Sequence, residues 1–207
     1  MDILVYAAIA FFITVPVIGL LLIIKHILRI KNEMGMANQF KKHLAEYINS
    51  EGTLNDLYDE MMEKVDILSN NMQGIGKFAY YKESGFSPII HYNYDVLLNC
   101  LPDIRDHFVF QEYADTKLFQ HKVNWVNDVL SKYIGNLKNQ RSIQKRWLFN
   151  PLEWISTFTR ETYYYLASAF SITPNDRSKK IGSFILNGLY IMSSIATIWQ
   201  TVVIFIK

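Results

Sequence analysis

ILVYAAIAFFITVPVIGLLLII, Ile3 to Ile24, runs without a charge and decides the fold class. At about 1.5 Å per residue, a helix of this length crosses a hydrocarbon core of roughly 30 Å. A secretory signal peptide would begin with basic residues, have a shorter apolar core and offer a small-residue cleavage site. Here the charge before the core is Asp2, and the cations Lys25, His26, Arg29 and Lys31 follow it. The segment is therefore expected to remain as an anchor, transmembrane helix 1, over residues 1–25. Pro16 and Gly19 fall inside it and are tolerated in membrane helices, with a mild kink expected near Thr14 to Pro16.

The far end of the chain repeats the theme. IGSFILNGLYIMSSIATIWQTVVIFI, Ile181 to Ile206, is uncharged and long enough to span with some tilt. Its polar residues Ser183, Asn187, Tyr190, Ser194, Thr197 and Thr201 step by three and four, forming one hydrogen-bonding stripe. Such a stripe should avoid lipid, so it packs helices together or lines a pore. Lys and Arg flank the spans on their inner sides, Lys25, Arg29, Lys31, Lys41 and Lys42 after the first and Arg177, Lys179 and Lys180 before the second. The expected topology has both termini outside and residues 26–180 in the cytoplasm, in the cell or inner membrane.

Composition agrees with that placement. The single cysteine, Cys100, cannot form an internal disulfide, and no Asn-x-Ser/Thr acceptor occurs. Of 21 Lys+Arg and 19 Asp+Glu, Lys25, Lys207 and Asp2 alone fall outside residues 26–180. A body so nearly neutral gives no electrostatic case for nucleic acid. Its length suits one cored domain.

Within that body, Phe40, Leu44, Tyr47, Leu54, Tyr58, Met61, Val65, Leu68, Met72 and Ile75 follow a heptad-like spacing, broken where Glu51 and Gly52 stand. Two helices in one register are expected, about 34–50 and 54–73, with Thr53 or Asn55 capping the second. One long helix with a weak point fits the same pattern. The stripe serves equally as the buried face of a bundle or as a coiled-coil seam. After Gly74 and Gly76 the period lapses. Phe78 to Phe86 reads as a short strand or a loop, and a helix is expected from Pro88 to about Cys100, ended by Pro102.

From Asp115 to about Arg146, Phe119, Val123, Val126, Leu130, Tyr133 and Leu137 again step by three and four, giving a second long amphipathic helix. It ends in Lys138, Arg141, Lys145 and Arg146, directly before Trp147, Leu148 and Phe149. Basic charge beside aromatic residues suits an anionic membrane surface, and cations also suit a helix C-terminus. Asn150-Pro151-Leu152-Glu153 then supplies an N-cap, a proline at N1 and an acceptor at N3. Residues 147–172 are expected to form an amphipathic helix able to lie in the interface, with Trp147, Trp154, Phe158 and Tyr165 as its anchors, or else to pack on the bundle. Residues 173–180 make a basic turn into transmembrane helix 2, residues 181–206.

Catalytic patterns are weak. Asp103, Asp106 and His107 share a helix face and are metal-capable residue types, yet lack metal-site spacing or companion thiolates. Cys100 follows Leu97-Leu98 with no adjacent base, as a core residue would. Gly74 to Gly76 is not followed by a phosphate-loop pattern. The sequence thus predicts an all-α membrane protein: two transmembrane helices at the chain ends flank a mainly helical cytoplasmic domain, residues 26–146, with coiled-coil-like helices. Its expected role is non-enzymatic, without metal or cofactor. It would scaffold, sense or bind a protein at the bilayer, the partner being another protein or a copy of itself. The alternative is a small oligomeric membrane-perturbing or channel-forming effector of the exclusion or defence type, using the polar stripe of the second span.

Overall fold

The computed structural model describes residues 3–82, 90–110, 115–169 and 188. The expected second span, residue 188 apart, lies outside them. The chain is mostly helical, with helices α1 (Ile3–Asn49), α2 (Asn55–Met72), α3 (Val96–Val109), α4 (Thr116–Trp147) and α5 (Pro151–Ala169). One hairpin joins them, β1 (Lys77–Lys82) with β2 (Ile90–Asp95). Two compact units are present: Met1–Arg29 with Arg141–Lys207, and Ile30–Gln140.

α1 continues through Pro16 for 47 residues, about 70 Å at helical rise. It stops where the heptad pattern breaks. Glu51 and Gly52 take left-handed backbone angles, φ 53° and 76°, and the Gly52 amide donates back to the Tyr47 carbonyl at 3.0 Å. This is the usual chemistry of a helix C-terminus. A Cβ at Gly52 would meet Phe108 at 2.7 Å, so glycine is needed there for space as well as conformation. Of the two readings of the stripe, two helices rather than one interrupted helix are therefore observed. The expected cap differs. Leu54 occupies the N-cap without a side-chain bond, and the Thr53 hydroxyl donates to the Ser50 carbonyl at 2.8 Å, committed to the turn instead.

The Ile30–Gln140 unit is built on that stripe. Phe40, Leu44 and Tyr47 of α1, Met61, Val65 and Leu68 of α2, and Val126, Leu130 and Tyr133 of α4 form one buried cluster with α3 residues Leu97, Leu101 and Ile104. Across it, the Tyr133 hydroxyl donates to Glu33 Oε2 at 3.0 Å and Lys41 Nζ to Ser131 Oγ at 2.8 Å.

The hairpin departs from the all-α class, though β1 falls largely in the stretch that read as a short strand or a loop. Residues 90–95 form β2 where a helix had been expected from Pro88. Its aromatic and β-branched side chains find a surface to pack against, and that tertiary contact outweighs local helix propensity. Asn93, at φ 52°, shifts the alternation at the level of Ala79, between the Phe78↔Tyr94 and Tyr80↔Tyr92 pairs. Phe78 and Tyr81, three apart, consequently both face inward. Each meets Trp125 edge-on, with centroids 5.3 and 5.2 Å away. Tyr80 and Tyr92 face outward, both strongly exposed.

Asp95 ends the strand and starts α3. Its Oδ1 accepts from the Leu98 amide at 3.2 Å, and its Oδ2 accepts from the buried Ser69 hydroxyl. α3 also passes its proline: Pro102 lies inside the helix rather than ending it. The carbonyl that loses a donor there belongs to Leu98, which is exposed to water, while burial of Leu101 and Ile104 holds the following turn in place.

Candidate membrane-facing site

The N-terminal half of α1 exposes apolar residues and buries small or central ones. Ile13, Val17, Leu21, Ile24 and Leu28 form an exposed stripe stepping by three and four, while Val15 and Ile23 on another side are buried. Among the described residues α1 is the one helix long and apolar enough to cross a membrane, and 22% of its most apolar window is buried. The enclosed core helix of a soluble bundle would be mostly buried.

α5 lies against this part of α1. Gly19 touches the Trp154 backbone so closely that a Cβ there would overlap the Trp154 carbonyl oxygen. Seven residues further along both helices, His26 Nε2 stands 3.7 Å from Glu161 Oε1. Equal steps on both chains mean that the two helices run side by side in the same direction over two turns. α5 begins as expected from Asn150-Pro151: the Leu152 amide donates to Asn150 Oδ1 at 3.1 Å.

The four predicted anchors divide. Trp147 and Trp154 come together, the Trp154 indole N–H donating to the Trp147 carbonyl at 3.0 Å, with the Arg160 guanidinium 5.6 Å above the Trp147 ring. Phe158, one turn on, is half-buried, and Tyr165 is exposed. At 100° per residue Thr157 falls on the polar half of α5 and Tyr165 and Leu166 on the apolar half, yet Thr157 is buried and Tyr165 and Leu166 are exposed. Phe149 and Leu152 at the α4–α5 turn are 88% and 70% exposed. Phe149 belongs to the aromatic run beside basic charge that the sequence marked, whereas Leu152 figured there only within the helix-start pattern. The pore or packing residues Ser183, Asn187, Tyr190, Ser194, Thr197 and Thr201 lie outside the described residues.

Charge at this site is mainly positive. Burial lowers the His26 pKa below its ordinary 6.5; Glu161 pulls the other way, and Arg160, Arg29 and Lys25 add to the lowering. The Glu161 contact is accordingly made to a largely neutral imidazole at pH 7, although its geometry would suit an ion pair.

Asp103, Asp106 and His107 line a depression of about 250 Å³ with Phe110, Asp115, Leu118, Phe119 and Lys122. Asp103 pairs with Lys122, Asp106 with Arg105 at 3.1 Å, and His107 stacks on Phe119 at 4.0 Å. Among the described residues no three His, Cys, Asp or Glu side chains are grouped to hold a metal. Cys100 is fully buried beside the Tyr94 hydroxyl, 3.7 Å away, and burial pushes its thiol up to about 11.

Comparison with family models, with curated proteins and with solved structures finds no match.

Proposed function

We propose that this chain is a non-enzymatic integral membrane protein that presents the Ile30–Gln140 bundle in the cytoplasm as a protein-binding or sensing module. The observation that carries this reading is the exposed apolar stripe Ile13-Val17-Leu21-Ile24-Leu28, on a helix whose cations begin at Lys25. Exposing such a stripe to water is unfavourable at about 25 cal/mol per Å², whereas lipid covers it without cost. The two-span topology, with both termini outside, rests on the basic flanks of both apolar stretches. Protein binding is supported by the outward faces of Tyr80 and Tyr92, since exposed tyrosines carry large contact area with a polar tip.

Cysteine-accessibility labelling tests the topology. With Cys100 replaced by serine, single cysteines at Lys31 and Lys180 should react from the cytoplasmic side only. Reaction from outside would overturn the arrangement. Purification of the full chain in mild detergent should give a stoichiometric partner or a defined homo-oligomer. A monodisperse monomer without a partner would overturn the binding role.

A further inference from the structure

We infer that the α4–α5 corner is a lipid-binding wedge, with Phe149 and Leu152 entering the acyl layer of the cytoplasmic leaflet and the neighbouring Lys145 and Arg146 bearing on anionic phospholipid headgroups. The inference rests on reading α1 as a membrane span, and adds to it a second contact with the same bilayer.

Depth follows from the packing of α5 on α1. Gly19 precedes Lys25 by six residues, about 9 Å at helical rise. Trp154 is level with Gly19, so the start of α5 lies about 9 Å to the apolar side of the first cation on α1. Glu161, seven residues later, is level with His26 and returns to the charged layer. Elements that enter the interface bury their apolar face roughly 5–10 Å deep. Phe149 and Leu152 therefore stand at acyl depth, with their side chains uncovered by protein.

Charge follows the same division. The described stretch 141–169 carries four cations, Arg141, Lys145, Arg146 and Arg160, against the two carboxylates Glu153 and Glu161. Lys145 and Arg146, exposed in the last turn of α4, are close enough along the chain to snorkel from the corner to phosphate level. An anionic leaflet matches both halves of the surface: acyl chains for the exposed corner and phosphates for the cations above it.

The test uses the full chain, Cys100→Ser, in nanodiscs of phosphatidylcholine and phosphatidylglycerol. Spin labels placed singly at Phe149, Leu152, Leu21 and His121 are compared for collision with oxygen and with a water-soluble nickel chelate. Labels at 149 and 152 should behave like the one at 21, oxygen-accessible and nickel-protected, with 121 the reverse. If 21 is in lipid but 149 and 152 are in water, the wedge is wrong and the anchor stands. If 21 is also in water, the anchor reading itself fails. Labels at 149 and 152 shielded from both reagents would mean that protein covers the corner, and would overturn the proposal. In a second arm, the selectivity for spin-labelled phosphatidylglycerol over phosphatidylcholine should fall by up to about fivefold for each residue changed in Lys145→Gln and Arg146→Gln. Unchanged selectivity in the double variant would overturn the headgroup contact.

Discussion

The Cα of Gly19 in α1 lies directly against the peptide carbonyl of Trp154 in α5, with no room for a side chain between them. Two helices approach so closely only where one offers no Cβ. Membrane helices commonly use small residues in this way.

Replacing Gly19 should therefore be felt at once. Gly19→Leu forces a Cβ against the Trp154 backbone, which no rotamer relieves, and should cost at least about 1–3 kcal/mol. Gly35 sits in the same helix with nothing within 4 Å of its missing Cβ. Gly35→Ala should be neutral or stabilising by about 0.5–1 kcal/mol. Thermal unfolding of the two variants in one detergent should move in opposite directions; equal shifts would deny the close contact.

Asp95 joins three elements through one carboxylate. Asp95→Ala removes the α3 cap, about 1 kcal/mol, and leaves the buried Ser69 hydroxyl without its acceptor, a further 1–3 kcal/mol or so. Asp95→Asn keeps a cap and an acceptor and should lose roughly half as much. Urea unfolding followed by circular dichroism checks the order.

Cys100 should be chemically quiet in the folded chain. With its thiol pushed up to about 11 by burial, the thiolate fraction at pH 8 falls roughly a hundredfold below that of an ordinary cysteine, and the sulfur is also enclosed. Alkylation by iodoacetamide should be slow until denaturant is added. Rapid labelling of the native protein would show that the α3 core opens.

His26 makes the Met1–Arg29 and Arg141–Lys207 unit sensitive to mild acid. Its folded pKa is lowered, so below 6.5 the unfolded chain binds the proton more readily than the folded one. The stability involved is fully present above 6.5 and is lost as pH falls through the lower folded value. Melting temperature should decline as pH falls below about 6.5, before most carboxylates titrate. His26→Gln should flatten that part of the profile.

Periodic features were legible in the sequence, and features made by tertiary contact were not. Phe40, Leu44, Tyr47, Tyr58, Met61, Val65, Leu68 and Met72 are buried in the positions their spacing implies, while Leu54 of the same stripe is exposed at the start of α2. Asn150-Pro151 begins α5 because capping is a local interaction. β2 could not be read locally: its inward set, His91 and Tyr94, is three apart, neither the strand period nor a sustained helical one, and depends on the Asn93 backbone. Asp95 was a readable cap signal, overshadowed by Pro88. At the candidate site, Trp147 and Trp154 were visible as aromatic residues near basic charge. The decisive contacts, Gly19 with Trp154 and His26 with Glu161, join residues about 135 apart and leave no mark in either segment alone.

The Glu33–Tyr133 and Lys41–Ser131 bonds have a consequence for synthesis, because their partners are 100 and 90 residues apart. At about 5–20 residues per second, ribosomes need roughly 5–20 s to make α4 after α1 has appeared. During that interval α2 can cover only part of the Phe40-Leu44-Tyr47 face. The bundle must therefore wait for its last helix; a slow codon between residues 50 and 116 would prolong the time its core stands open to aggregation, and a truncation there would leave it open for good.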